Sequence, residues 1–444
     1  MPIQAKSFAC LAGYAFVSLA LAQGPVLPRT QKSLLDSTIA KAVAMHPSVQ
    51  SARASRASSD AGYDAARWQY FPNPSISTER GSNETQRNLG NTTSTTMRLQ
   101  QNLWAGGRID ASVNAAQQKA QLAQIAVMEA QSNVATRTLD AWLALLTSFG
   151  RRQATQTGLD RLRRLADMMG RRVERDVSPS IDAVLMRSRL TQTQSDLLAH
   201  AGAQDSAAQR LAQWVGDPGI LDSLGSGNLA QTLQEAAQRL PESTPADILS
   251  ALDKQPAMRR NDGEIALAQQ EVQQKKGEAW PNVYVRIDRQ FTNPGSGSFV
   301  GKSADTKLYL GLQYSPGAGL SLSSSIQAAQ SKIAALQQDR ESIRRDLQDR
   351  VNTDWREHVT NALRLDHAKE AVQSANEVLE AYTRLFVVGR RGWLDVLNAA
   401  RELSLTEQTL SDLQAQQVVG IYRLRMHQGL FDWQQGGSLV PSQF

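Results

Sequence analysis

Cysteine is almost missing from this chain of 444 residues: the one thiol, Cys10, lies near the amino terminus. A single cysteine cannot support a disulfide framework. Histidine is scarce as well, and His46, His200, His358, His367 and His427 are scattered without metal-ligand spacing and without a nucleophile motif beside any of them. Gly295 to Ser303 looks briefly like a phosphate-binding loop, but Ser296 stands where the first glycine is required. Aromatics make up 6% of the chain, and the arginines follow helical stretches without aromatic interleaving. The formal charge of +6, from 48 basic and 42 acidic residues, is therefore no signature of a nucleic-acid platform. These absences exclude the usual enzyme signatures, and no catalysis, cofactor or nucleic-acid partner is expected.

Long apolar runs are lacking too. The one candidate stands at the start: Lys6 gives a positive segment, Phe8 to Leu19 an apolar stretch, and Ala20-Leu21-Ala22 a cleavage signal before Gln23, which together read as a signal peptide over residues 1–22. Cys10 lies inside it, not after the apolar run, so no lipid anchor is expected. Nothing later approaches the ~20 residues of a spanning helix. If the mature chain enters a membrane, it does so as strands.

What is present is a repeat. Asp182 and Asp395 correspond (395 − 182 = 213), as do Leu190 with Leu403, Leu211 with Leu424, and Gly216 with Gly429. Pro256 follows Pro47, and Trp280-Pro281-Asn282 follows Phe71-Pro72-Asn73, at a slightly shorter offset (256 − 47 = 209). Each half reads as a proline-interrupted helix (Leu34 to Ala66; Ala246 to Ala279), two strands around a polar loop, a long helix, a tight turn and a return helix. The first repeat is assigned to residues 23–230, with strands about 73–81 and 95–104, a long helix about 108–174 and a return helix about 180–215. The second takes residues 231–435, with strands about 282–291 and 305–314, a long helix about 321–388 and a return helix about 393–428, before a tail at 436–444. Gly216 to Pro245, rich in Gly, Asp, Ser and Pro, is read as a linker with at most a short helix, outside the main bundle.

The strands alternate. Val283, Val285 and Ile287 alternate with Tyr284, Arg286 and Asp288; Leu308, Leu310 and Leu312 alternate with Lys307, Tyr309 and Gly311; Met97, Leu99 and Leu103 alternate with Arg98, Gln100 and Asn102. One face is apolar and the other polar, and Phe71, Trp104, Trp280, Phe291 and Tyr314 stand at strand ends, as interfacial aromatics do. Glycine breaks at Trp104-Ala105-Gly106-Gly107 and Ser315-Pro316-Gly317-Ala318-Gly319 then release the long helices. At ~1.5 Å per residue, Arg108 to Glu174 reaches about 100 Å, too long for a compact core. Leu122, Ile125, Val134, Leu139, Trp142 and Leu145 mark its seam, with Trp355 at the position of Trp142 in the second repeat (355 − 142 = 213).

Each long helix ends in a turn. Val388-Gly389-Arg390-Arg391-Gly392-Trp393-Leu394-Asp395-Val396-Leu397-Asn398-Ala399 joins a helix stop to a helix start, and Val173 to Leu185 repeats it with Ser178 as the expected cap and Pro179 at the first helical position. Asp182 and Asp395 fall in the first turn of their helices, where an acid gains ~0.3–1 kcal/mol from the helix dipole whatever else it does. The arginines near the turns, Arg171, Arg172, Arg175, Arg390 and Arg391, read either as a solvated face or as a docking surface for an acidic partner.

Four strands cannot close a barrel, and an open edge in lipid leaves backbone groups unpaired at several kcal/mol each. Two chains would give eight strands, a barrel filled by its own side chains; three give twelve and a lumen. A trimer is expected, with the polar face on water, since Arg or Lys facing lipid at midplane costs ~2–4 kcal/mol. The fold class expected is mainly α with a membrane β-barrel, a tandem repeat trimerising into a 12-stranded barrel on a long α-helical tunnel. A soluble periplasmic coiled-coil scaffold without a pore is the contrasting reading, and it needs no lipid-facing alternation.

The Gly389 to Ala399 turn, the Pro-Asn strand starts and the Gly-Gly and Pro-Gly-Ala-Gly strand exits resemble the TolC-like outer-membrane efflux protein family. The resemblance spans essentially the whole mature chain. It implies an outer-membrane location in a Gram-negative bacterium, a homotrimer in outer-membrane lipid, and a passive duct opened by a periplasmic adaptor and an inner-membrane transporter. In that family the turns close the periplasmic end, and aspartates on the return helices form rings in the pore. Asp395 matches a ring position, Arg391 a basic residue of the closing network, and Asp182 the acidic position of the first repeat. Asn398 replaces a second aspartate of well-known members, which argues against strong divalent-cation block. The turn residues Gly389, Arg390, Gly392, Ser178 and Pro179 are the expected adaptor contacts. The Trp-Leu-Asp-Val-Leu-Asn turn and the missing lipid anchor look more like members serving type I protein secretion than those of multidrug or metal efflux.

Overall fold

The computed structural model describes residues 34–81, 92–236, 244–294, 303–315 and 321–431. The segment read as a signal peptide, with Cys10, the Pro316 to Gly319 break, most of the two loops between strands and the tail lie outside the described residues. The elements are α1 (Leu34–Met45), α2 (Pro47–Arg67), β1 (Asn73–Gly81), β2 (Thr92–Trp104), α3 (Arg108–Val173), α4 (Ser180–Val215), α5 (Ile220–Ser223), α6 (Ser226–Ala236), α7 (Pro245–Ser250), α8 (Pro256–Gly277), β3 (Asn282–Pro294), β4 (Ser303–Gln313), α9 (Leu322–Val387) and α10 (Trp393–Gln428). The long helices α3 and α9 have 66 residues each, and the return helices α4 and α10 have 36 each. Equal lengths put both turns at the same end of the molecule.

Prolines start the upstream helices as their missing N–H allows. Pro47 begins α2 behind His46, whose Nδ1 accepts the Ser48 amide at 3.2 Å, and Pro256 begins α8. At the strand exit Gly106 and Gly107 adopt φ of 60° and 77°. A Cβ on Gly106 would come within 2.6 Å of the Trp280 Cβ, so this glycine both turns the chain and lets the two repeats meet. Trp104 packs edge-on against Trp280 there, with ring centroids 5.8 Å apart.

The long helices pack side by side in one layer. Toward the turns the lateral order is α4, α3, α10, α9; toward the sheet it is α2, α3, α8, α9. Central α3 buries 22 residues, whereas α9, at the edge, buries only Val351, His358, Leu365, Leu379 and Phe386. Small residues bring α3 and α10 close: a Cβ on Gly150 would lie 2.5 Å from the Ser411 Cβ, and one on Gly158 2.6 Å from the Ser404 Oγ. Beside them Arg151 binds both oxygens of Asp412, with Nη2 to Oδ2 at 2.8 Å.

The main core lies halfway along α3, around fully buried Trp142, and corrects the linker reading. Ile220 of α5, Leu224, and Leu229 and Leu233 of α6 bury against Leu35 and Ile39 of α1, and α6 packs on α10. The described part of the segment after Gly216, up to Ala236, is thus two short helices packed on the wall, not a linker outside it. Leu229 and Leu233 stand four apart on one helical face, and that apolar pair outweighs the surrounding Gly and Ser. Trp355 is partly buried on a smaller cluster of Ile248, Leu252, Val351 and Leu424.

Candidate functional site: the sheet and the helical tip

The four strands form one antiparallel sheet in the order β1-β2-β3-β4, so the two repeats join at β2–β3, and among the described residues no strand pairs with the outer edges of β1 and β4. The register aligns Ile76 with Met97, Leu99 with Ile287, Ile287 with Leu308, Val285 with Leu310 and Val283 with Leu312. Alternation puts all of these on one face, where Ile76, Leu308, Leu310 and Leu312 are each at least 67% exposed. β1 spans Asn73–Gly81, and Pro74 is accommodated there because β1 is an edge strand, where a missing N–H can be left out of the ladder.

The opposite face is polar and interlocked. Asp288 accepts from Arg98 at 3.0 Å and pairs with Arg286 at 3.1 Å, while the Arg286 guanidinium lies 4.5 Å over the Tyr309 ring. Tyr284 covers Gly311, where a Cβ would come within 2.4 Å of the ring. A charged, hydrogen-bonded face opposite a mainly apolar one is what separates water from lipid.

At the other end both long helices stop in the same way. The Arg390 amide donates to the Leu385 carbonyl at 2.9 Å and the Gly389 amide to Phe386 at 3.0 Å, with Gly389 left-handed at φ 75°. In the first repeat the Val177 amide donates to Arg172 at 2.8 Å and the Asp176 amide to Val173 at 3.0 Å, with Asp176 left-handed at φ 56°. Both are Schellman turns.

Asp395 lies in the first turn of α10 and pairs with Arg391 at 3.5 Å, both side chains 43% exposed, while the Arg391 guanidinium stacks 4.5 Å over Tyr382. Asn398 and Arg390 are exposed, and Asp182 is half-buried in the first turn of α4. Gly392 is the cap of α10 in extended backbone, φ −75° and ψ 152°, so any residue could adopt its conformation. Ser178 does not cap α4. Its hydroxyl is taken by Arg172, whose Nε donates to it at 3.1 Å, and Pro179 stands one residue before the helix, as its cap.

Arg172 is the residue whose role the sequence does not disclose. It is not part of a solvated arginine face: besides Ser178, it donates from Nη1 to the Val387 carbonyl at 3.2 Å and stacks 4.8 Å over Phe386. One guanidinium thus binds its own turn and the end of α9. Phe386 in turn packs against Trp393, 5.0 Å away, in a tip cluster with Leu165, Met169, Met186, Val396 and Leu403.

The family description "Outer membrane efflux protein" matches this chain twice, over residues 38–217 and 248–427. The chain belongs to the outer membrane efflux protein family. Each match takes in one repeat of the efflux protein, from the proline-interrupted helix to the end of the return helix. No curated protein sequence matches it. Its fold is similar to that of a membrane protein from Pseudomonas aeruginosa, at 15% identity, TM-score 0.75, and coverage of 89% of this chain and 90% of that one. It is also similar to the outer membrane protein VceC of Vibrio cholerae, at 15% identity, TM-score 0.73, and coverage of 89% and 96%. The open state of the MtrE outer membrane channel of Neisseria gonorrhoeae gives 14% identity, TM-score 0.71, and coverage of 89% and 88%. The efflux protein is thus an outer-membrane protein with a long periplasmic extension, and its class is a transport duct, not an enzyme.

Proposed function

We propose that three copies of the efflux protein close into one pore and serve as the passive exit duct of a tripartite export system. The observation that carries this is the sheet: four strands whose outer edges carry no partner among the described residues, apolar on one face and ion-paired on the other. Three sheets of four strands give twelve (3 × 4), wide enough for a water-filled lumen, whereas eight would be filled by side chains. The wall of helices supports the same closure. Its edges, α4 with α2 and α9, are the least buried long surfaces, and Ile181, Val184 and Leu198 of α4 and Leu363 of α9 are exposed there. A neighbouring copy would cover them. A pore-free scaffold would have no use for the exposed apolar sheet face.

The cargo we propose is a secreted polypeptide, delivered by an inner-membrane ABC transporter through a periplasmic adaptor docked at the tip residues Gly389, Arg390, Gly392, Ser178 and Pro179. The Trp393 to Asn398 turn supports this reading. Multidrug or metal efflux is the second reading, favoured by the family's own description and by the solved channels of like fold. Asp395 and Asp182, three of each in the trimer, would face the narrow end as acidic rings, with Arg391 as the partner of Asp395. Deleting the gene in its host, and following supernatant proteins and drug susceptibility in parallel, separates the cargoes. Loss of a secreted protein with drug tolerance intact supports secretion; an unchanged supernatant with raised drug sensitivity contradicts it.

A further inference from the structure

The apolar face of the sheet carries a charge that the pore does not use. Arg289 pairs in register with Met97 and Thr306, two residues along β3 from Ile287, and so falls on the same face as Ile76, Met97, Leu99 and Ile287. Its side chain is exposed, and its guanidinium lies 5.3 Å over Phe291, the next residue outward on that face. The described acids of the sheet, Glu79, Asp288 and Asp305, all alternate onto the opposite face, where Asp288 pairs with Arg98 and Arg286 and Asp305 with Lys307. Arg80, at the end of β1, alternates onto the Arg289 face one row beyond Thr78. Both cations are therefore on the lipid side.

Ile76, Met97, Leu99 and Ile287 line a shallow groove of about 490 Å³, with Ser75, Arg98 and Arg289 also in its lining. A guanidinium held in mid-hydrocarbon is strongly disfavoured, whereas one at the headgroup level is not. Arg289 stands seven residues beyond the start of β3 at Asn282, ~23 Å along the strand at ~3.3 Å per residue, or ~16–19 Å in height for a strand tilted ~35–45° in an apolar band ~25 Å tall. That places it in the outer half of the membrane, away from the helices.

We propose that this groove binds an anionic lipid, its acyl chain against Ile76, Met97, Leu99 and Ile287 and its headgroup phosphate on Arg289, with Arg80 as a second cation further out. The proposal rests on the membrane reading of the sheet. Planar bidentate recognition suits a guanidinium on phosphate, and the Phe291 ring orients that guanidinium.

The test is native mass spectrometry of the full chain in mild detergent, with phosphatidylglycerol and phosphatidylcholine of identical chains added in equal amounts. The wild type is expected to retain phosphatidylglycerol about fivefold over phosphatidylcholine, the worth of one basic residue at an anionic surface. Arg289→Gln should abolish the preference, and Arg289→Lys should keep part of it. Equal retention by wild type and Arg289→Gln would overturn the site, as would full displacement by chainless glycerol phosphate, which would mark a bare anion site. Flotation with phosphatidylcholine vesicles separates this from the reading beneath it. If wild type and variant float alike without headgroup preference, the lipid site fails and the membrane sheet stands; if the wild type does not float, the sheet reading fails and the lipid site with it.

Discussion

Asp176 and Gly389 occupy the same left-handed place in the two tip turns, at φ 56° and 75°, one repeat apart (389 − 176 = 213). The glycine adopts it freely, while the aspartate is among the few side chains that tolerate it. Gly389→Ala is predicted to weaken its turn by ~1–2 kcal/mol, and Gly389→Asp by less. Hydrogen exchange at the Arg390 amide, whose bond to the Leu385 carbonyl spans the whole turn, reads this directly: faster exchange in Gly389→Ala than in Gly389→Asp. Equal protection in both variants would mean that the turn does not depend on this conformation.

Arg172 fastens its own turn to the end of α9 through Ser178 and the Val387 carbonyl. If this closes the tip, Arg172→Ala should raise single-channel conductance in planar bilayers, and Arg172→Lys should raise it nearly as much, since an ammonium cannot stack on Phe386 and reach both acceptors. Wild-type conductance in Arg172→Ala would leave the residue a purely structural role.

Asp395→Ala should weaken cation preference in the same recordings, because three fewer carboxylates would face the narrow end of the pore. Unchanged selectivity would leave Asp395 as a first-turn acid held by Arg391, with a stability effect of only ~0.3–1 kcal/mol.

His358 gives the wall a pH dependence. It is buried against Gly420 and Gln417 of α10, with Nε2 3.4 Å from the Gln417 Nε2, and burial pushes its pKa below the usual value of 6.5. The folded protein keeps this ring neutral, and the unfolded chain protonates it more readily. Its contribution to stability is therefore fully present above pH 6.5 and is lost as pH falls from there through the folded pKa. One turn away on the same helix, Asp354 pairs with His427 at 2.6 Å, so the informative quantity is a difference. Wild type is expected to lose more stability than His358→Gln on acidification below that point, measured by denaturant unfolding; parallel pH profiles would contradict the assignment.

Much of this was visible in the chain because the signals are local. Period-two alternation from Val283 to Ile287 fixes which face is apolar before any partner strand is known. The spacing from Asp182 to Asp395 likewise reports the repeat with no knowledge of packing. What stayed hidden depends on contacts between distant segments. Arg172 reads as one of several exposed arginines until α9 is seen beside it, and its capture of Ser178 removes the cap that the sequence offers. Leu229 and Leu233 sit in a Gly- and Ser-rich stretch, and only the presence of α1 and Trp142 shows what they cover. Arg289 breaks the apolar alternation of β3, and the break has meaning only once the register sets it beside Met97.

The central claim is that three copies each give four strands to one pore. Native mass spectrometry of the full chain, extracted from outer membranes in mild detergent, tests it most directly. A species of three chains that also inserts into planar bilayers as a single conducting unit is the predicted result. A monomer, or a dimer with eight strands and no conductance, would contradict it.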